Sequence, residues 1–212
     1  MFKVYSFVCN PEKGSISDSI NDGKLYIYPK KDIESKDVDI KDSNKIFFIS
    51  IDDEKTMYKL KDKFDMQYLN GAIMMSYNDK VIMDLTQHDL IDQLWSYWIN
   101  LLEELTVGGK VEVYFPDQPI KISLQDKVES LEVSIGEREF SFPKVFLLSI
   151  LDGASHFFIK MNKYFEGYYS NEIKRIQFLI QNSLYLQEII MSFGPVYLNE
   201  LKNVRDMEEY NN

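Results

Sequence analysis

The chain has 212 residues and a mass of 25.0 kDa, with 45% hydrophobic and 27% charged residues. That composition suits one folded globular domain spanning 1–212 and excludes low-complexity, collagen-like or wholly disordered chains. Its 24 basic and 34 acidic residues sum to −10, a sign that repels phosphate backbones and anionic membranes and so argues against nucleic acid or a lipid surface as the main ligand. In chain order, residues 2–8 alternate well enough for a strand, and 10–23 collect Pro, Gly, Ser, Asn and Asp as a loop does. Residues 25–28 form a short strand candidate ended by Pro29, 30–44 a long charged loop, and 45–51 a better strand. Asp52, Asp53 and Glu54 place acids where a helix N-terminus favours them, and Met57, Leu60 and Phe64 follow at helical spacing. This first part is irregular and charge-neutral: residues 1–64 hold 12 basic and 12 acidic residues, so the whole −10 belongs to 65–212.

The second part is more regular. Residues 71–77 and 80–85 flank Asn78-Asp79 as two strands flank a tight turn. Thr86 stands as cap of a helix over 87–106, with Ile91, Leu94, Trp95, Trp98, Leu101, Leu102 and Leu105 as its apolar stripe and Gly108-Gly109 as its stop. Both tryptophans therefore belong to the core. Strand candidates follow at 111–115, 120–124, 131–135 and 140–142, with a strong turn at Pro116-Asp117-Gln118-Pro119. Clean period-2 alternation gives each strand one wet face. Pro143 suits the first turn of a helix over 143–165, which Gly153 breaks or bends. Ser170 caps a last long helix over 171–193, stopped by Gly194-Pro195, and the polar tail 205–212 frays. Strands in runs followed by helices predict an α+β fold: an antiparallel meander over 71–142, covered by three long helices, with a helical C-terminal part.

Chemistry-bearing motifs are sparse. No apolar run approaches the ~20 residues that span a bilayer. The N-terminus alternates where a secretory signal would be continuously apolar, so a cytoplasmic location is expected. Cys9 is the single cysteine, which excludes an internal disulfide and a cysteine-cluster metal site; at the end of an apolar strand it reads as an inert buried thiol. The nine glycines are scattered, and Gly108-Gly109 follows a helix and precedes a strand, the wrong order for a phosphate loop. Asp84, His88 and Asp92 form the one candidate cation site, against the commoner role of Asp89 and Asp92 as acids at a helix N-terminus. His156, beside Phe157 and Phe158, reads as a buried or half-buried packing histidine. Tyr164, Phe165, Tyr168 and Tyr169 either pack over the core or form a recognition patch, with packing favoured. Only three arginines are present, so bidentate capture of carboxylate or phosphate has little to work with.

The segment Leu94-Trp95-Ser96-Tyr97-Trp98-Ile99-Asn100-Leu101-Leu102-Glu103-Glu104, followed by Tyr114-Phe115-Pro116-Asp117-Gln118-Pro119-Ile120, resembles stretches of bacterial polymorphic-toxin immunity proteins, over residues 68–125. The resemblance implies a non-enzymatic inhibitor of a protein partner, without cofactor. It transfers no site residues. Phage-encoded inhibitors of bacterial defence share the same profile. An acidic surface would meet a basic partner, and helix geometry puts Asp89, Gln93, Ser96, Asn100 and Glu103 on the wet face of the 87–106 helix, flanked by Asp92 and Glu104. Asp117 joins them from the exposed turn. The partner-binding residues expected are thus Asp89, Asp92, Glu103, Glu104 and Asp117. The competing readings are a small hydrolase or metal-dependent enzyme centred on His88, and an assembly subunit of a larger complex.

Overall fold

A computed structural model describes residues 1–12 and 47–193. The expected strand at 25–28, most of the 10–23 loop, the 30–44 loop and the polar tail lie outside those residues. The fold is α+β with antiparallel strands throughout, as the alternation predicts.

The strands divide into two sheets, where one meander over 71–142 was expected. In the first, β1 (Phe2–Cys9) lies between β2 (Phe48–Ser50) and β3 (Asn70–Tyr77). Seven register pairs join β1 to β3, from Phe2 opposite Tyr77 to Val8 opposite Gly71. The strand β4 (Lys80–Met83) completes a hairpin with β3. Asn78 and Asp79 both adopt positive φ, 47° and 64°, the turn that matches the twist of a two-residue hairpin. A two-residue strand β5 (Asp89–Leu90) pairs back onto Asn70 and Gly71. That pairing moves the following helix, α2 (Ile91–Leu105), four residues later than Thr86 would start it; Thr86 instead bonds Asp84. Before them, α1 (Glu54–Leu60) is capped by Asp53, which accepts the Thr56 N–H.

The second sheet is the expected meander, in the order β6 (Lys110–Tyr114), β7 (Lys121–Asp126), β8 (Leu131–Ile135), β9 (Arg138–Phe142). The fifteen-residue α2 separates it from the first sheet, so the chain leaves one sheet and begins another. Inward residues Ile122, Leu124, Leu131, Val133 and Ile135 are buried, and the alternate residues face out.

Helix α3 (Phe146–Tyr164) starts one turn after Pro143, whose carbonyl accepts the Phe146 N–H, and runs unbroken through Gly153. The last expected helix is two: α4 (Ser170–Asn182) and α5 (Leu184–Phe193) meet at Ser183, whose backbone is extended (φ −85°, ψ 107°). Ser170 lies inside α4. Its start is held by Asn162, whose side-chain oxygen accepts the Tyr169 N–H at 2.9 Å.

One contiguous core runs from Val8 and Ile49 through α2 and α3 to Leu131 and Val133. Trp95 and Trp98 are fully buried within it, as the stripe predicts. Aromatic rings seal the seam between the sheets: Phe2 stacks on Tyr77 (4.2 Å between centroids) and meets Phe142 edge-on, and Phe142 stacks on Phe146. Among the described residues, no helix is long and apolar enough to cross a membrane.

Candidate protein-binding site

The β6–β7 hairpin and the start of α2 are joined by one buried carboxylate. Asp89 is 2% exposed. It accepts the Asp117 N–H with both oxygens at 3.1 Å, the Gln118 N–H at 3.1 Å and the Leu90 N–H at 2.7 Å. The Gln118 side-chain amide adds a bond to the His88 carbonyl. The turn Pro116-Asp117-Gln118-Pro119 is thereby fixed from beneath, while the Asp117 side chain and Pro119 stand in solvent. Beside them on β6, Tyr114 is 57% exposed. Glu112 shares its outward face, with Lys121 3.4 Å from its carboxylate.

This corrects the expectation for Asp89. It belongs to β5 and points into the protein, so it takes no part in a solvent-facing helical surface. The α2 face itself is also not bare, because α4 lies across it. The Tyr169 hydroxyl donates to Asp92 at 3.1 Å. Arg175 forks onto Glu103, with Nε 2.8 Å from Oε1, and also reaches Asn100. Burial drives the Asp92 carboxyl above its usual range, against the hydrogen bonds from Gln93 and Tyr169, and the nearby Glu172 charge pushes the same way. Of the five expected acids, Glu104 and Asp117 remain exposed. The covering helix joins the chain some seventy residues after α2, so nothing local to α2 announces it. The anchoring role of Asp89 and the exposure of Tyr114 are likewise set by the hairpin.

The candidate cation site does not assemble. The Asp84 carboxylate accepts from Thr86, Asp92 is turned to Tyr169, and the His88 ring lies edge-on to Phe48 at 6.4 Å. Among the described residues no three His, Cys, Asp or Glu side chains converge. Desolvation lowers the His88 pKa below its ordinary value, against the Thr86 backbone and the Asp89 charge.

His156 is exposed, contrary to the packing role expected of it, because it lies on the outer side of α3 between buried Ser155 and Phe157. Its Nε2 is 2.8 Å from Asp52, in an ion network where Lys160 reaches Asp52 and Glu54 and Lys163 reaches Glu54. Hydrogen bonds from Lys160 and Lys163 hold the Glu54 carboxyl below its usual range. The network ties α1 to α3. Cys9, expected to be buried, is half-buried, and burial pushes its thiol up to about 12. In the aromatic linker Tyr164 and Tyr169 pack inward, and only Tyr168 is well exposed. A shallow cavity of about 270 Å³ lies between the β7–β8 turn and α5, lined by Glu129, Lys144, Tyr185 and Glu188. Its Lys144 is already committed to Asp126 at 2.8 Å.

No protein-family model matches the chain, nor does any curated protein or solved structure.

Proposed function

We propose that the chain is a non-enzymatic cytoplasmic protein that binds and blocks a basic protein partner, of the immunity, antitoxin or phage anti-defence kind. The observation that carries this reading is the Asp89 carboxylate bracing the turn that presents Asp117 beside Tyr114. A turn that only connects two strands needs no buried charge. Removing a carboxylate from water costs several kcal/mol in effect, offset only by well-placed donors. What the arrangement achieves is a turn of single geometry, and a loop that is already ordered loses less entropy on binding. An exposed tyrosine flanked by Glu112 on its own strand and Lys121 across from it, with the Asp117 turn three residues on, has the character of an interface: an aromatic anchor with charges at its rim. The net charge of −10 would steer a basic partner towards it.

The test replaces Tyr114 with a photo-crosslinking phenylalanine analogue in the native host, followed by association kinetics with the purified adduct partner. One dominant adduct with a basic protein is expected. Asp117→Lys should slow association about tenfold at low salt, with the gap closing at high salt. A spread of weak adducts, or equal rates for both proteins, would overturn the reading.

A further inference from the structure

The hydrogen-bond parity of the second sheet shows which groups its first strand leaves open. Asp126 N–H donates to the Gly109 carbonyl and Phe115 N–H to the Ile120 carbonyl, both at 2.9 Å. With Lys110 opposite Gln125 and Tyr114 opposite Lys121, the odd-numbered residues of β6 direct their N–H and C=O to β7. Those of Lys110, Glu112 and Tyr114 point the other way. Among the described residues no second strand flanks β6, and none bonds the main chain of these three. Their side chains are exposed, while Val111 and Val113 on the opposite face lie over the core. The edge is thus a row of three donors and three acceptors, adjoining the turn that Asp89 holds.

We infer that this edge takes an added antiparallel strand from the protein partner: an extended segment with Lys or Arg facing Glu112 and apolar residues at the alternate positions, beside Val111 and Val113. The inference rests on the proposed function for its partner and goes beyond it in naming the mode of capture. Main-chain bonds supply affinity in strand addition, and alternate side chains supply specificity. Charge selects the occupant. Each copy carries −10, which opposes a second copy in either register the edge allows: about Glu112, where that carboxylate would face itself, or about Val111, where it would face Lys110. A basic strand meets Glu112, which Lys121 faces at 3.4 Å from β7, and then Asp117 in the following turn.

Amide hydrogen exchange tests this with a synthetic ten-residue peptide of alternating Lys and Val, a proline-interrupted version serving as control. In the free protein the amides of Lys110, Glu112 and Tyr114 should exchange fast and those of Val111 and Val113 slowly. The alternating peptide should slow the first set about tenfold or more, and the interrupted one should not. Glu112→Pro removes one outward N–H and leaves the β7 ladder intact; it should weaken peptide binding about tenfold, and Glu112→Gln by less. Should the proline variant fail to fold, the wild-type exchange pattern with the two peptides decides alone. Slow exchange of the three amides in the free protein means that the chain itself already pairs the edge, and overturns the inference. So does an absence of peptide protection, full binding by a folded Glu112→Pro variant, or a concentration-dependent dimer that Glu112→Pro abolishes. A Tyr114-crosslinked partner that leaves these amides exchanging sinks strand addition and spares the proposed function. Peptide capture without any partner adduct does the reverse.

Discussion

Gly153 lies directly against Trp95: a methyl group added at Gly153 stands 2.7 Å from the Trp95 Cη2 and equally close to Cγ1 of Val4. The contact explains why a glycine sits mid-helix without breaking α3. Its missing side chain is the space the indole fills, and Trp95 is anchored there by an Nε1–H bond to the buried Ser6 hydroxyl at 3.0 Å.

Gly153→Ala should therefore destabilise the protein. Helix propensity favours alanine by about 1 kcal/mol. Overpacking a rigid core costs about 1–3 kcal/mol, and here Trp95 cannot swing away, being fully buried and hydrogen-bonded, even if the half-buried Val4 shifts. Urea denaturation measures the balance. A variant as stable as wild type would show that α2 and β1 adjust at no cost.

Trp98→Ala should cost about 3–5 kcal/mol, the range for truncating a buried aromatic, because the ring is fully buried and meets Phe146 edge-on. An unchanged melting temperature would contradict its place in the core.

Asp89→Ala leaves the Asp117 and Gln118 amides without their acceptor. Unsatisfied donors cost about 1–3 kcal/mol each when buried, so the variant should lose a few kcal/mol, less where water reaches the turn. Amide exchange at Asp117 and Gln118 should accelerate in step. If those amides stay protected, the carboxylate is not what holds the turn.

Asp92→Asn should stabilise the protein at pH 7. The Asp92 carboxyl titrates above its ordinary 3.8 in the folded chain, first because of burial. A raised folded pKa means that the favourable contribution is complete below the unfolded value and is lost as pH climbs through the folded one. Asparagine keeps a polar partner for the Tyr169 hydroxyl and carries no charge to desolvate. The gain over wild type should shrink on acidification and vanish below pH 3.8. Thermal melts of both proteins across that range check it, and a gain that grows in acid would refute the burial argument.

Cys9 should resist alkylation at pH 8, since its thiol is raised from 9.0 to about 12 by burial. The same sign rule applies. The stabilising effect of keeping the thiol neutral is whole below pH 9 and is lost between 9 and 12, so wild type should lose stability relative to Cys9→Ala across that window. Rapid labelling by iodoacetamide at pH 8 in the native state would show a reactive thiolate instead.

Local rules read most of the elements correctly. Alternation at Leu131, Val133 and Ile135 requires a strand whatever it pairs with. The Asn78-Asp79 turn carries its own backbone preference, and the Trp95–Trp98 stripe must bury. Where a boundary depended on a distant residue, the local signal lost. Thr86 is a plausible cap, but Asp89 and Leu90 are drawn into pairing with Asn70 and Gly71, and the helix begins after them. Asp89 itself shows the limit most plainly. At 100° per residue it belongs on the wet side of a helix; as the residue before the helix it turns inward to two amides 28 and 29 residues away.

The residues alone determined the α+β class, the antiparallel pairing of β6 to β9 and the core identity of both tryptophans. Each of these follows from periodicity or burial preference within a short window. Tertiary structure decided the division into two sheets, the covering of Asp92 and Glu103 by Tyr169 and Arg175, and the exposure of His156 beside Asp52. It also decided which acids stay open and which strand edge no described residue pairs. These are contacts between segments up to about a hundred residues apart, and their energies depend on which surfaces meet, a property that no window of neighbouring residues contains.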